Sequence, residues 1–438
     1  MSTFSSLCRP ALRCLAGIAA VAGLAAGDSK PLTIWWAQWA PADGLQQLSE
    51  DFTKSTGIAV KVHQIPWSSY QDQVFLAFGN KTTEFDIVVG DSQWIGRGAT
   101  KGLYLNLTSW LPGAVDLKAQ NPQVLRYLCE YPGGSGNYWA APCESDAVGF
   151  SYRADWFADP AEKSAFKAKF NRDLAPPATW AEFKDVAVFF HRPEQKRFGC
   201  ALLTGRGYDS LVMGFQQLLW AWGGSWGDPA TFKVTGKLDS PQAAAALGFF
   251  KELMAFGPAG ATNLDYGKSL EAFTNGSTAM AMNYFAFAPG IAKQMGDKAG
   301  FFVMPTQDGR RTISLGGQGL SISAKVPVER QEQAKKFIAW FLTEPVQRQW
   351  ITKDAGFTAN TAILKSEAFR KAAPYNAAFA DSLDSLQDFW NVPVYNELLA
   401  AAQKRLGEAL DGVKTPAAAL TELAKEHQDI LTDAGLAK

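Results

Sequence analysis

The chain has no excess of charge of either sign. Lysine plus arginine total 42, as do aspartate plus glutamate, so no basic field exists to hold nucleic acid or an anionic membrane. Histidine is scarce, at 3 residues, and the 5 cysteines fall at no spacing that resembles a zinc site. Neither a metal nor a cofactor is expected. Beyond the N-terminus, no apolar run reaches membrane-spanning length without a charge or a helix breaker. Internal repeats and low-complexity linkers are also lacking. The GGQG at 316–319 is no phosphate fingerprint, because no strand–G-x-G-x-x-G–helix unit surrounds it. The GGSWG at 223–227 matches the spacing of a nucleophile elbow around Ser225, but a helical pattern precedes it and Gly227-Asp228-Pro229 turns away. That elbow needs a strand before it and a helix after it, so no serine hydrolase is expected; the enzyme alternative is a secreted glycosidase with paired carboxylates among Asp91, Glu144 and Asp146.

What is present is an ordinary globular composition, 47% hydrophobic and 19% charged over 438 residues. One core rarely serves a chain of this length, so two lobes are expected. Residues 1–26 read as a signal peptide, with Arg9 and Arg13 before the short apolar run Leu15–Ala26 and small residues for cleavage near 25–27. Cys14 follows Arg13, so no lipobox is formed. An exported protein, periplasmic in a Gram-negative cell, is expected. Cleavage leaves Cys129, Cys143 and Cys200. In an oxidising compartment, a Cys129–Cys143 disulfide would close the loop YPGGSGNYWAAPC and leave Cys200 free and buried.

Hydrophobic patterning predicts an α/β fold. Leu32–Trp36 reads as a strand; Leu45, Leu48 and Phe52 then fall at helical spacing, and Gly57 ends the helix. Residues 58–65 alternate as a strand, a helix runs through Val74, Phe75 and Phe78, and residues 84–91 form a third strand. This β-α-β-α-β order points to a parallel sheet. Residues 147–157 and 278–287 read as strands, 160–290 are mainly helical, 300–325 return to strand, and helices follow from 329. Thr179, with Glu182 three residues on, reads as a capping box, and Ser240 as an N-cap.

The 15 tryptophans are the main clue to function, because several lie in turn-rich sequence rather than at helical spacing. Trp35, Trp36, Gln38 and Trp39 end the first strand, where ligands of open α/β sheets sit. Indoles present a flat apolar face and one N–H donor, which suits a sugar. Strand alternation sends Trp35 and Trp36 to opposite faces, so one of them is core. Trp67 and Tyr70 hold the equivalent place after the second strand, or staple the next helix. Asp91, Gln93 and Trp94 follow the third; Asp91 suits vicinal hydroxyls or an N-cap. Glu144, Ser145 and Asp146 sit at a lobe crossing placed near Ala141–Pro142, with Asp146 the preferred contact. Trp220, Trp222 and Trp226 line a cleft or fill a core. Asn283, Tyr284 and Phe285 end a later strand, and Gly316, Gly317 and Gln318 read as a tight turn where backbone approaches a ligand. Phe357 and Trp390 are weaker candidates.

Taken in order, these segments resemble one family. LTIWWAQW, the helix leading to STGIAVKVHQIPWSSYQDQV, FDIVVGDSQWIGRGATKGLYLNLTSWL, YWAAPCESDAVGFSYRADWF, GSTAMAMNYF, SLGGQGLSIS and AKKFIAWFLTEPVQRQWITKDAGFTANTAIL are similar to the extracellular solute-binding proteins of bacterial ABC importers, in the maltose-binding-like, carbohydrate-binding group. The resemblance implies a periplasmic-binding-protein-like fold, two α/β lobes with a ligand cleft between them and several hinge crossings. Lobe 1 would comprise residues 27–141 and 288–340, and lobe 2 residues 142–287 and 341–438. It also implies a monomer that binds a small carbohydrate and meets ABC permease subunits in the inner membrane. Carried over, the cleft residues are Trp35, Trp36, Gln38, Trp39, Trp67, Tyr70, Asp91, Asp146, Trp222, Asn283, Tyr284, Phe285, Gly317, Gln318 and Phe357.

Overall fold

The computed structural model describes residues 30–353 and 356–437; the expected signal peptide lies outside them. Among the described residues no helix is long and apolar enough to cross a membrane.

Among the described residues nine strands form the sheet: β1 (Leu32–Ala37), β2 (Val60–Ile65), β3 (Ile87–Asp91), β4 (Ala141–Arg153), β5 (Phe198–Ala201), β6 (Thr278–Tyr284), β7 (Ala299–Phe302), β8 (Ile313–Ile322) and β9 (Leu386–Gln387). Their order is β2-β1-β3-β8-β4-β6-β5, with β7 on β4 and β9 on β8. β1 lies parallel to both β2 and β3. All six β1 residues are buried, as expected of a parallel strand covered on both faces. The helix Ala40–Thr56 carries the chain from β1 to β2. Pro41 sits in its first turn, where a missing N–H is harmless, and Gly57 ends it at φ 74°. The Thr179–Glu182 capping box and the Ser240 N-cap are both formed.

Two large apolar cores flank the middle of this sheet. One gathers β1–β3 with Phe337, Phe341 and Trp350; the other gathers Phe150, the helices Trp180–Phe190 and Ser210–Ala221, and the C-terminal helices Tyr395–Leu410 and Pro416–Asp433. β4 and β8 belong to both. Along β4, Ala141 and Cys143 pack in the first core and Ala147, Val148 and Phe150 in the second; along β8, Ile313 and Leu315 pack in the second and Leu320 and Ile322 in the first. The return crossing therefore falls within β8 rather than at residue 288, since Phe302, Met304 and Ile313 still pack in the second core. The last crossing falls after Trp350 rather than at 341, because Val346 and Trp350 complete the first core.

Two further expectations are corrected. Cys129, Cys143 and Cys200 are free, buried thiols. Cys129 packs into the second core and Cys143 into the first, and backbone bonds close the loop between them: the Trp139 N–H donates to the Cys129 carbonyl at 2.8 Å and the Tyr131 N–H to the Asn137 carbonyl at 3.0 Å. Gly316–Gln318 is not a tight turn but the middle of β8, paired antiparallel with Glu144–Asp146 of β4. Gly317 has φ +94°, and a Cβ there would lie 2.1 Å from the Glu144 carbonyl oxygen.

Both the left-handed backbone and the contact with Glu144 demand glycine at 317. Gly317→Ala is expected to lower stability by about 2 kcal/mol or more, measured by urea unfolding; an unchanged midpoint would show that the crossing relaxes freely.

Candidate functional site

Between the two cores lies a cavity of about 510 Å³. One wall is built from strand ends: Ala37 at the end of β1 with Gln38 and Trp39 beyond it, Trp67 and Ser68 after β2, and Asp91, Ser92 and Gln93 from β3 onward. The opposite wall comes from Gly207, Tyr208 and Asp209 leading into the helix Ser210–Ala221, the start of the helix Tyr266–Thr274, Tyr284 at the end of β6, Phe287 and Asp388. Asp146 of β4 and Leu315–Gln318 of β8 form the floor. The position agrees with the rule that α/β sheets bind ligands beyond the carboxyl ends of their strands.

Aromatic rings make up much of the lining. The Trp67 and Tyr208 rings, one from each wall, meet edge to face at 5.7 Å. Tyr266 stacks on Phe287 at 6.4 Å and touches Tyr284 at 5.7 Å. Trp39 packs edge-on against the buried Trp36, and its own indole nitrogen is buried without a partner.

The polar lining is acidic. Asp91, Asp146, Asp209, Asp265 and Asp388 face the cavity, and no lysine, arginine or histidine does so among the described residues. The Ser92 hydroxyl donates to Asp91 Oδ1 at 3.1 Å and the Tyr208 hydroxyl to Oδ2 at 3.4 Å. Asp209 stands before the helix Ser210–Ala221 yet makes no capping bond. Its Oδ1 accepts from the Tyr266 hydroxyl at 2.8 Å, and its Oδ2 from Gln93 Nε2 at 3.5 Å. Asp388 accepts from the Phe389 N–H at 2.8 Å and from Asn391 Nδ2 at 2.9 Å. Asp146 is occupied by backbone, accepting from the Ala147 N–H at 2.7 Å and the Ala286 N–H at 3.2 Å. Burial raises four of these acids: Asp91 to about 8, with Asp209 and Asp388 adding repulsion, Asp209 to about 7, Asp146 to about 8, and Asp388 upward. Beneath them Glu144 is fully buried, with both carboxylate oxygens unpartnered, and burial followed by repulsion from Asp146 pushes it well up.

Of the residues singled out by sequence, Gln38, Trp39, Trp67, Asp91, Gln93, Asp146, Tyr284, Gly317 and Gln318 line the cavity. The others are placed elsewhere. Trp35 points away from it, against Phe85 and His63. Trp36 is core, and its indole N–H donates to Gln318 Oε1 at 3.2 Å. The Tyr70 hydroxyl sits 2.7 Å from the Trp35 carbonyl and 2.9 Å from that of Val89, tying β1 to β3. Trp222 packs on Phe249 and Trp180, Phe285 on Phe379, and Phe357 on Phe379 and Tyr375. Asn283 Nδ2 donates to the Tyr266 carbonyl at 3.0 Å and so holds that ring's backbone in place. Trp390 is buried against Phe232, and the Ser225 hydroxyl donates to the Gly227 carbonyl at 2.7 Å. Sequence reasoning missed Tyr208, Asp209, Tyr266 and Asp388. The available signal was GRGYDS: a glycine loop presenting Tyr-Asp just before an apolar helix, where the aspartate was readable as an ordinary cap.

These acids hold protons more tightly in the folded protein than in the unfolded chain. The folded state therefore binds more protons between about pH 4 and pH 8, and they lower stability as pH rises through that window. Asp209→Asn removes one such group. Relative to the parent, its ligand-free melting temperature is expected to gain roughly 2 °C or more between pH 5 and pH 8, read by scanning calorimetry; a constant difference would refute the assignment.

Comparisons with known proteins agree with this architecture. A putative ABC transporter periplasmic-binding protein of Escherichia coli, YcjN, is 26% identical over 191 residues, which is 42% of this chain and 41% of that relative. An ABC transporter solute-binding protein of Agrobacterium radiobacter, solved with ribitol, superposes with a TM-score of 0.76 at 23% identity, covering 92% of this chain and 100% of that one. The maltose-bound MalE3 of T. maritima superposes with a TM-score of 0.77 at 22% identity, with the same coverage. Both structures share the fold of two lobes with a ligand cleft. The model of the bacterial extracellular solute-binding protein family matches residues 36–348, and the chain belongs to that family.

Proposed function

We propose that this protein is the periplasmic solute-binding component of an ABC importer, and that its solute is a carbohydrate: a mono- or oligosaccharide or a sugar derivative. One observation carries the reading. The cavity between the lobes combines flat aromatic faces with a ring of side-chain acceptors, the combination that a body of C–H faces and hydroxyls requires. The relatives solved with ribitol and maltose support it.

In this reading Trp39, Trp67, Tyr208, Tyr266 and Tyr284 pack on the apolar faces of the solute. Asp91, Asp209, Asp388, Gln38, Gln93 and Gln318 accept from its hydroxyls, and Asp146 holds the floor. Trp36, Tyr70 and Asn283 support these contacts from behind. Ligand bridging both walls favours the closed arrangement by as much as its affinity for closed exceeds that for open. The exclusion of water then strengthens each hydrogen bond. The closed monomer delivers the solute to permease subunits in the inner membrane, and residues 1–26 direct export and are removed. No covalent step is required.

A thermal-shift panel of sugars, polyols, amines and organic acids tests the reading. A sugar or polyol is expected to raise the melting temperature in a concentration-dependent way; stabilisation by an organic acid alone would reject it. Oligosaccharides incubated with the protein are expected to be recovered unchanged. Trp67→Ala is expected to weaken solute binding about tenfold or more, by titration calorimetry, while Trp222→Ala, outside the cavity, leaves affinity within about threefold of the parent.

A further inference from the structure

The cavity is acidic, and of its aspartates Asp265 alone has a cationic partner among the described residues, Lys268 at 3.5 Å. Asp91, Asp209 and Asp388 line it, no cationic side chain does so among the described residues, and none of the three makes a salt bridge there. The nearest arginine in sequence, Arg206, is already paired with Asp411. Bonds to neutral groups fill only part of their capacity, since a carboxylate offers about four acceptor sites. Asp91 is reached by Ser92, Tyr208 and the Gln93 backbone N–H that it caps, Asp209 by Tyr266 and the Gln93 side chain, and Asp388 by Phe389 and Asn391.

A second observation points the same way. Gln93 is 2% exposed and lines the cavity between Asp91 and Asp209; its amide nitrogen is used by Asp209, and its carbonyl oxygen has no partner. A buried acceptor left unpaired is unfavourable, so this group also awaits a donor. The lobes matter too. Asp91 stands on the first-lobe wall, and Asp209 and Asp388 on the second. Closing the cleft brings like charges together, unless a cation lies between them. Tyr208, Tyr266 and Trp67 supply the aromatic faces that favour such a cation. An aromatic lining of this kind suits an organic ammonium.

We propose that the solute is an amino-substituted sugar or polyol whose ammonium group sits between Asp91 of one lobe and Asp209 and Asp388 of the other, with Gln93 accepting a further N–H or O–H. This rests on the carbohydrate reading above and narrows it. The ammonium draws the opposed acids together and so couples recognition of the amine to closure.

Matched pairs test it by titration calorimetry at pH 7.5: glucose with glucosamine, galactose with galactosamine, cellobiose with the glucosamine disaccharide, and myo-inositol with streptamine. Spermidine serves as an amine without hydroxyls. At least one amino compound is expected to bind about tenfold or more tighter than its hydroxyl parent. That ratio is expected to shrink about tenfold in both Asp209→Asn and Asp388→Asn, so misfolding of either variant leaves the other to decide. Pairs that bind with a ratio below about tenfold overturn the ammonium assignment and leave the carbohydrate reading standing. Binding of spermidine alone, or of no compound, overturns both.

Discussion

The register between β4 and β8 governs the molecule. These two strands are shared by both cores, and they pair antiparallel from Ala141 to Ala147 and from Leu315 to Leu320. The close approach of Gly317 to the Glu144 carbonyl locks the match. A slip of one residue would turn every side chain to the other face. Asp146 would leave the floor, Leu320 would leave the first core, and Gln318 would lose the indole N–H of Trp36. The hinge, the floor of the cavity and the boundary between lobes are therefore one structural feature.

Around that feature the protein places groups that do not favour its own folding. Buried carboxylates lose hydration, and those in the cavity repel one another. Asp209 occupies a helix N-cap position without capping, and Gln93 keeps an acceptor idle. Elsewhere the same chain follows ordinary rules: Thr179, Ser240 and Asn360 cap their helices, and Arg330 pairs with the buried Asp86. Departures from local consistency of this kind are expected at a site built to be completed by a guest.

Much of the architecture was legible because it is local. Alternation and helical spacing in residues 32–91 identify β1, β2 and β3 with their connecting helices, and Gly57, Thr179 and Ser240 mark helix ends through bonds made within a few residues. The site was legible on one wall. Trp39, Trp67, Asp91 and Gln93 follow strands whose ends must meet a ligand if the sheet is parallel. The opposite wall was not, because Tyr208, Asp209, Tyr266 and Asp388 lie far apart in sequence and look like caps or loop residues. Cys129 and Cys143 misled for the same reason: proximity in sequence says nothing about which core each thiol enters.

By itself, then, the amino-acid order determined what short-range physics controls: the α/β class, the parallel opening of the sheet and the helix ends. Only the tertiary structure decided which indoles are walls and which are filling. Trp36 and Trp39 stand three residues apart, yet one is sealed beneath Gln318 and the other faces the cavity. It alone also brought Asp91 opposite Asp209 and Asp388. Burial and charge proximity depend on how distant segments pack, and no local pattern encodes that packing.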